Sequence, residues 1–336
     1  MRFAVGYQLF QDDYLIKNII ERKENISEVY FSWGDFPNGR NNQLKRADMT
    51  EWEALEKQME DLKKLTEEKI SLNLLLNATC YGKDSQSRAF FQKVGDTVDY
   101  VLNNYILKSV TTTSPLIAKF IKTNFHALDV RASVNMGIGS VEGMDYVEDF
   151  FDSFYLKREY NRNFKKIREL KTWCDENGKK LYMLANSGCL NNCSAHGFHD
   201  NLVSHESEIS KMDNGYEFSG VCHEYLKKPG KLSTLFDNTG FVRPEDIYLY
   251  EKLFSSVKLA TRVNANPVMV MKAYIDNKKH IGSVFDLLEP NHTVAIYPKF
   301  VENSRIEAVA DDDELKYINI EKALINVEDK VCYQVK

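Results

Sequence analysis

Short runs of apolar and β-branched residues punctuate the chain at positions 3–7, 28–32, 72–76, 105–110, 129–134, 153–156, 180–184 and 257–260. Runs of four to six such residues read as strands buried on both faces. Between most of them the apolar positions recur at helical spacing, over 12–23, 50–67, 87–103, 115–123, 141–149 and 163–176. Thr50 followed by Glu53 makes a capping box, Pro115 suits a first helical turn, and Gly178 closes the last of these helices. Eight strands alternating with helices predict an α/β fold, a (β/α)8 TIM-type barrel.

The repeating units are unequal. Long polar loops follow the second strand (33–48) and the seventh (186–244), both leaving the strand ends where barrel enzymes build their sites. After the eighth strand come a helix at 267–277 and a tail that reads as strand at 293–300 and 331–335. The domain reading is therefore one barrel over 1–290 and a small C-terminal β extension over 291–336. The ADDDE run at 310–314 reads as a solvated turn.

Composition narrows the function. With 336 residues, 43% hydrophobic and 28% charged, the chain can build a large core. Its net charge of −5 lacks the basic footprint of a dedicated DNA-binding protein, so no DNA partner is expected. No run of 18 apolar residues exists, so no membrane partner is expected, and the N-terminus lacks the apolar core of a secretory signal. A cytoplasmic location is the expectation. P-loop, nucleophile-elbow and HExxH patterns are absent. The GIGS stretch at 137–140 is equally a phosphate cradle or an ordinary loop.

Six cysteines in such a chain point to metal binding, catalysis or plain burial rather than a disulfide scaffold. Cys80 follows the third strand, Cys189 and Cys193 follow the seventh, and Cys222 lies in the same long insertion, all four on the expected rim. Cys174 falls inside an amphipathic helix and Cys332 in the tail, positions of small buried hydrophobes. Four thiolates from separate segments suit a tetrahedral zinc or a 4Fe-4S cluster. The C-x3-C pair with two solitary cysteines, rather than paired C-x2-C knuckles, tilts the balance to the cluster. His196, His199, His205 and His223 crowd the same insertion as proton donors, ligands or substrate contacts.

Polar residues at strand ends are the remaining candidates: Tyr7, Asp35, Asn77, Asn135, Arg158, Glu159, Asn161, Arg162 and Arg262. Arg158, Glu159, His199 and Arg262 are the candidate catalytic residues. An arginine pair at the ends of the sixth and eighth strands would take a carboxylate or phosphate bidentately. Against this, Arg158 and Glu159 are equally readable as a rim salt bridge. The basic stretch from Lys157 to Lys171 reads as the solvated face of the sixth helix, with Leu170 and Trp173 turned to the barrel. RPED at 243–246 reads as a helix start.

The segment LYMLANSGCLNNCSAHGFHDNLVSH, the lone Cys222, FVRPEDIYLYEKLFSSVKLATR, and the earlier blocks NATCYG and YLKREYNRNFKKIREL resemble the peptidase U32 (collagenase-like) family over most of residues 1–290. The resemblance implies a (β/α)8-type barrel and, as in several members, a 4Fe-4S cluster. Its ligands would be Cys189, Cys193 and Cys222, with Cys80 the fourth. It further implies an oxygen-independent hydroxylation or related redox modification of a small molecule or nucleobase. A zinc-dependent peptidase and a non-catalytic cluster-bearing subunit paired with a paralogous partner are the alternatives. The chain lacks the additional Gly, Ser and Cys residues of the family's longer signature and an extra C-terminal RNA-binding domain.

Overall fold

The computed structural model describes residues 1–40 and 48–326. The chain runs β1 (Arg2–Gly6), α1 (Tyr14–Glu21), β2 (Ile26–Phe31), α2 (Glu51–Glu67), β3 (Leu72–Leu76), α3 (Arg88–Asn104), β4 (Leu107–Thr112), α4 (Pro115–Asn124), β5 (Asp129–Ala132), α5 (Val141–Asp145), β6 (Ser153–Tyr155), α6 (Phe164–Glu176) and β7 (Lys180–Leu184). The insertion after β7 holds α7 (His196–Ser204), α8 (Glu206–Ile209) and α9 (Val221–Lys227) before β8 (Ser256–Leu259) and α10 (Pro267–Asp276). The eight strands form a closed parallel barrel in chain order, β8 returning to pair with β1. This is the predicted (β/α)8 barrel, with all eight predicted barrel strands in place.

Local signals act as read. Thr50 and Glu53 form the reciprocal capping box of α2, and Pro115 opens α4 behind the Ser114 cap. Gly178 turns in the left-handed region at φ 64°. The RPED segment starts a 3-10 turn, Pro244–Tyr250, whose Arg243 is buried in an ion pair with Asp246. Cys174, Leu170 and Trp173 are buried as expected. The cationic face of α6 is solvated and internally paired, through Lys166 with Glu169 and Lys171 with Asp175.

The tail differs from its reading. Residues 293–300 do not form one strand: α11 (Thr293–Ile296) comes first, and β9 (Lys299–Val301) follows. A hairpin of β10 (Glu307–Ala310) and β11 (Leu315–Ile318) turns through the ADDDE run, and after α12 (Ile320–Ala323) the strand β12 (Leu324–Asn326) pairs with β9. The aromatic and β-branched composition of 293–300 favours strand, but Pro298 supplies no backbone N–H for a ladder and splits the run. The 331–335 strand and Cys332 lie outside the described residues. No helix among the described residues is long and apolar enough to cross a membrane.

Period-two alternation sorts the barrel residues. Phe3, Val5, Val29, Phe31, Leu74, Val110, Val130, Phe154, Met183, Val257 and Leu259 join the main core under the helices. The other set faces the lumen, with Ala4, Tyr30 and Leu75 in one cluster and Val134, Tyr155, Leu184 and Ala260 in another. Between these apolar layers lie charged side chains. Arg131 Nη1 donates to Glu28 Oε1 at 2.7 Å and Arg131 Nε to Asp129 Oδ2 at 2.7 Å. Asn73 Nδ2 also donates to Glu28 at 2.9 Å, and Thr111 to Asn73 at 3.0 Å. Glu28, Arg131 and Asp129 each have a charged partner, the condition for burying them.

Candidate metal and substrate site at the barrel mouth

The C-terminal ends of the strands close around a cavity of about 30 Å³ lined by Tyr30, Arg40, Asn77, Asn135, Arg158, Lys258, Arg262 and Glu289 among others. Two of the predicted arginines meet there. Arg158, 6% exposed in the turn after β6, contacts His196 Nε2 at 2.5 Å and donates to Asn135 Oδ1, while its buried Nε has no partner among the described residues. Arg262 follows β8 and donates to Asn38 Oδ1 at 3.1 Å. Gly6 makes room for it: a Cβ there would stand 2.6 Å from the Arg262 side chain and 2.8 Å from the Tyr30 ring. Burial, with Arg40 adding to it, pushes the Arg262 guanidinium down to about 10 against the pull of Tyr30.

The other sequence candidates divide. Asn77 and Asn135 line the cavity. Glu159 stands on the rim, accepting from the Asn192 backbone at 3.4 Å with Lys157 at 3.8 Å, and so supports the C-x3-C loop. His199 is exposed beside the Phe218 ring, its pKa lowered by partial desolvation, in a separate surface hollow with Phe198 and Tyr216. Asn161 ties the Leu184 and Gly240 carbonyls together, and Arg162 binds the Phe236 and Thr239 carbonyls. Tyr7 donates to Asp61, and Asp35 pairs with Lys93 on the outside. These last four hold structure.

The insertion after β7 arranges the cysteines. Gly188 N–H bonds the Glu289 carbonyl at 3.0 Å and Asn191 N–H the Asn238 carbonyl at 2.6 Å, fixing the loop that carries Cys189 and Cys193. Cys222 and His223 lie on α9, which packs against α11, and His292 immediately precedes α11. One ligand atom each from Cys222, His223 and His292 falls within 4.8 Å of the others. Burial raises the Cys222 thiol, and Cys189 and Cys193 are near enough to raise it further. Against the burial of Arg40, Glu289, paired with it at 2.9 Å, keeps the guanidinium ionised, and nearby Cys189 adds a smaller contribution. The rim and the mouth therefore share one electrostatic environment.

Cys80 stands elsewhere. It bonds the His205 ring, which lowers the thiol and raises the imidazole, and His205 Nδ1 contacts Glu208 at 2.7 Å. His205 caps the C-terminal end of α7, whereas Cys193 precedes its first turn. At 1.5 Å per residue the two ends are about 13 Å apart.

His292 was hidden from sequence reasoning inside the predicted tail, yet its chemistry is specific. Its Nε2 lies 2.7 Å from the Gly188 carbonyl, which accepts only a donor, so Nε2 carries the proton and Nδ1 keeps its lone pair. Nδ1 is buried and has no partner among the described residues. A ring held by a backbone carbonyl through one nitrogen, with the other bare, is the arrangement of a metal-ligating histidine. The donor set of soft sulfurs plus imidazole fits a zinc or iron centre. Arg40, Lys258 and Glu289 were also missed; a lysine in the middle of the apolar strand SVKL was the available signal.

No protein-family model and no curated protein matches the sequence. Among solved structures, a U32 peptidase superposes with a TM-score of 0.54 at 16% identity, covering 77% of this chain and 92% of that one. A GH113 β-1,4-mannanase (TM-score 0.37, 8% identity, 77% and 86% covered) and the muconate lactonizing enzyme from Pseudomonas putida (0.34, 13%, 60% and 55%) are also similar. In its barrel fold the chain thus resembles that U32 peptidase.

Proposed function

We propose that this protein is a metal-centred barrel enzyme that acts on a small anionic molecule held at the mouth. The observation that carries this reading is the bare, buried Nδ1 of His292 beside Cys222 and His223. With Cys189 and Cys193 alongside, the sulfur-rich rim favours an iron-sulfur centre held by Cys189, Cys193, Cys222 and the His292 imidazole. Such a centre would supply electron transfer for an oxygen-independent hydroxylation or related redox modification of a small molecule or nucleobase. Around it, this chain's residues have defined tasks. Arg158 and Arg262 orient the anion, Arg40 links the mouth to Cys189 through charge, and the Gly188 carbonyl fixes the His292 tautomer.

A second reading rests on the close Cys222, His223 and His292 trio itself. Three protein ligands and an open position are the arrangement of a catalytic zinc, which would make the protein a hydrolase. Anaerobic purification followed by iron, sulfide and zinc analysis separates the two. Iron with equimolar sulfide and a broad brown absorbance supports the cluster. Tightly bound zinc in a colourless protein supports the hydrolase, and a metal-free protein after reconstitution refutes both.

A further inference from the structure

The barrel mouth holds a charge imbalance that the rim metal does not address. Three guanidiniums and one amine line the cavity, from Arg40, Arg158, Arg262 and Lys258, and Glu289 is the carboxylate among its described lining residues. Arg40 is paired with Glu289, and no second carboxylate among the described lining residues faces the other cationic groups, which suits the cavity to an anion. The Nε of Arg158 is a donor still unspent.

Lys258 is the unusual member. Its backbone is pinned in β8 between β1 and β7, and its side chain points into the lumen by the alternation of the strand. The side chain is 8% exposed, and no hydrogen bond or ion pair reaches its amine among the described residues. The amine stands 3.9 Å above the Tyr30 ring centroid and 5.1 Å from that of Tyr155. Of the charged groups facing it, Arg262, Arg131 and Arg40 disfavour the ammonium while Glu28 favours it, and burial dominates, bringing the lysine down to about 7. A structural lysine would have a carboxylate or a carbonyl; this one has aromatic faces, guanidiniums and an opening to the cavity.

We propose that Lys258 is a nucleophile that forms an imine with a small carbonyl compound whose anionic group, carboxylate or phosphate, is held by Arg158 and Arg262. The lone pair of neutral Nζ adds to the carbonyl carbon, forming the C–N bond as the carbonyl electron pair moves to oxygen. That oxygen then leaves as water with the two protons of the amine, so no oxidant or reductant enters. Protonation of the imine nitrogen gives an iminium, which acidifies the neighbouring carbon. The assignment rests on the mouth being the substrate site, but not on the identity of the metal.

Trapping tests this directly on the intact wild-type protein. Pyruvate as the carboxylate probe and dihydroxyacetone phosphate as the phosphate probe are each incubated with cyanoborohydride, and the adduct is located by peptide mass mapping. A reduced adduct at Lys258 with one probe, at least tenfold above any surface lysine and rising with pH through about 7, is the expected result. The productive probe identifies the anionic group. Lys258→Arg removes the adduct, and Arg158→Lys lowers its yield while circular dichroism reports an intact fold. Absence of a Lys258 adduct with both probes, or labelling no greater than at surface lysines, overturns the proposal. Metal content is read separately on the same sample, so a missing metal and a missing adduct are distinguishable failures.

Discussion

Glu28 on β2 accepts a 2.7 Å hydrogen bond from Arg131 on β5 across the inside of the barrel. The pair sits beneath the mouth, with Asn73 on the same carboxylate, and anchors the polar floor on which Tyr155 and Lys258 rest. Glu28→Ala strands the guanidinium with Asp129 alone and is expected to cost about 3 kcal/mol in urea unfolding, the low end for breaking a buried pair. Glu28→Gln, which keeps an acceptor for Asn73, costs less. Equal losses for the two variants would argue against the charge pairing.

Gly6 is expected to tolerate no side chain. A Cβ there would overlap Arg262 and Tyr30 at 2.6 and 2.8 Å. Gly6→Ala therefore displaces the mouth arginine, weakening anion binding about tenfold or more, comparable to losing a charge-assisted hydrogen bond. Titration calorimetry with the productive probe measures it, and unchanged affinity would place the anion elsewhere.

The described cysteines divide in reactivity. Cys80 is activated by His205, whereas burial pushes Cys174 up to about 12. Iodoacetamide at neutral pH is expected to alkylate Cys80 about a hundredfold faster than Cys174. His205→Ala slows only Cys80. Comparable labelling of the two sites would remove the thiol–imidazole pair.

Asp13 bonds both Lys57 and Lys64 at 2.9 Å, and these bonds lower its pKa from 3.8 to about 2. A depressed carboxyl stabilises the fold above its unfolded value, and that contribution disappears as pH falls from about 4 to 2. With the side chain about one-third exposed, solvent screening leaves about 1 kcal/mol. Asp13→Asn should thus destabilise at pH 7 and be neutral near pH 2. A constant difference across that range contradicts the linkage.

The barrel was legible because the strands are compact apolar runs and several of the helices between them carry a local start or stop signal, such as Thr50, Ser114 or Gly178, so local and global signals agree. Arg158 and Arg262 were visible for a similar reason, as polar residues just past strand ends. Lys258, Glu28 and Arg131 hid inside strands, where period-two reading counts a lone charge as a solvent-facing position; in a closed barrel the second face is the lumen. His292 and Arg40 reach the site only through tertiary return of distant loops, which no local spacing encodes. The α11 turn was lost because 293–300 has strand composition interrupted by Pro298.

The most direct test of the metal centre is the metal and sulfide content of anaerobically purified protein, compared among wild type, Cys222→Ala, His292→Ala and Cys80→Ala. About one centre per chain is expected in wild type and in Cys80→Ala, with loss in Cys222→Ala and His292→Ala. Metal-free wild type after reconstitution, or a centre lost with Cys80 and kept without His292, would contradict the account.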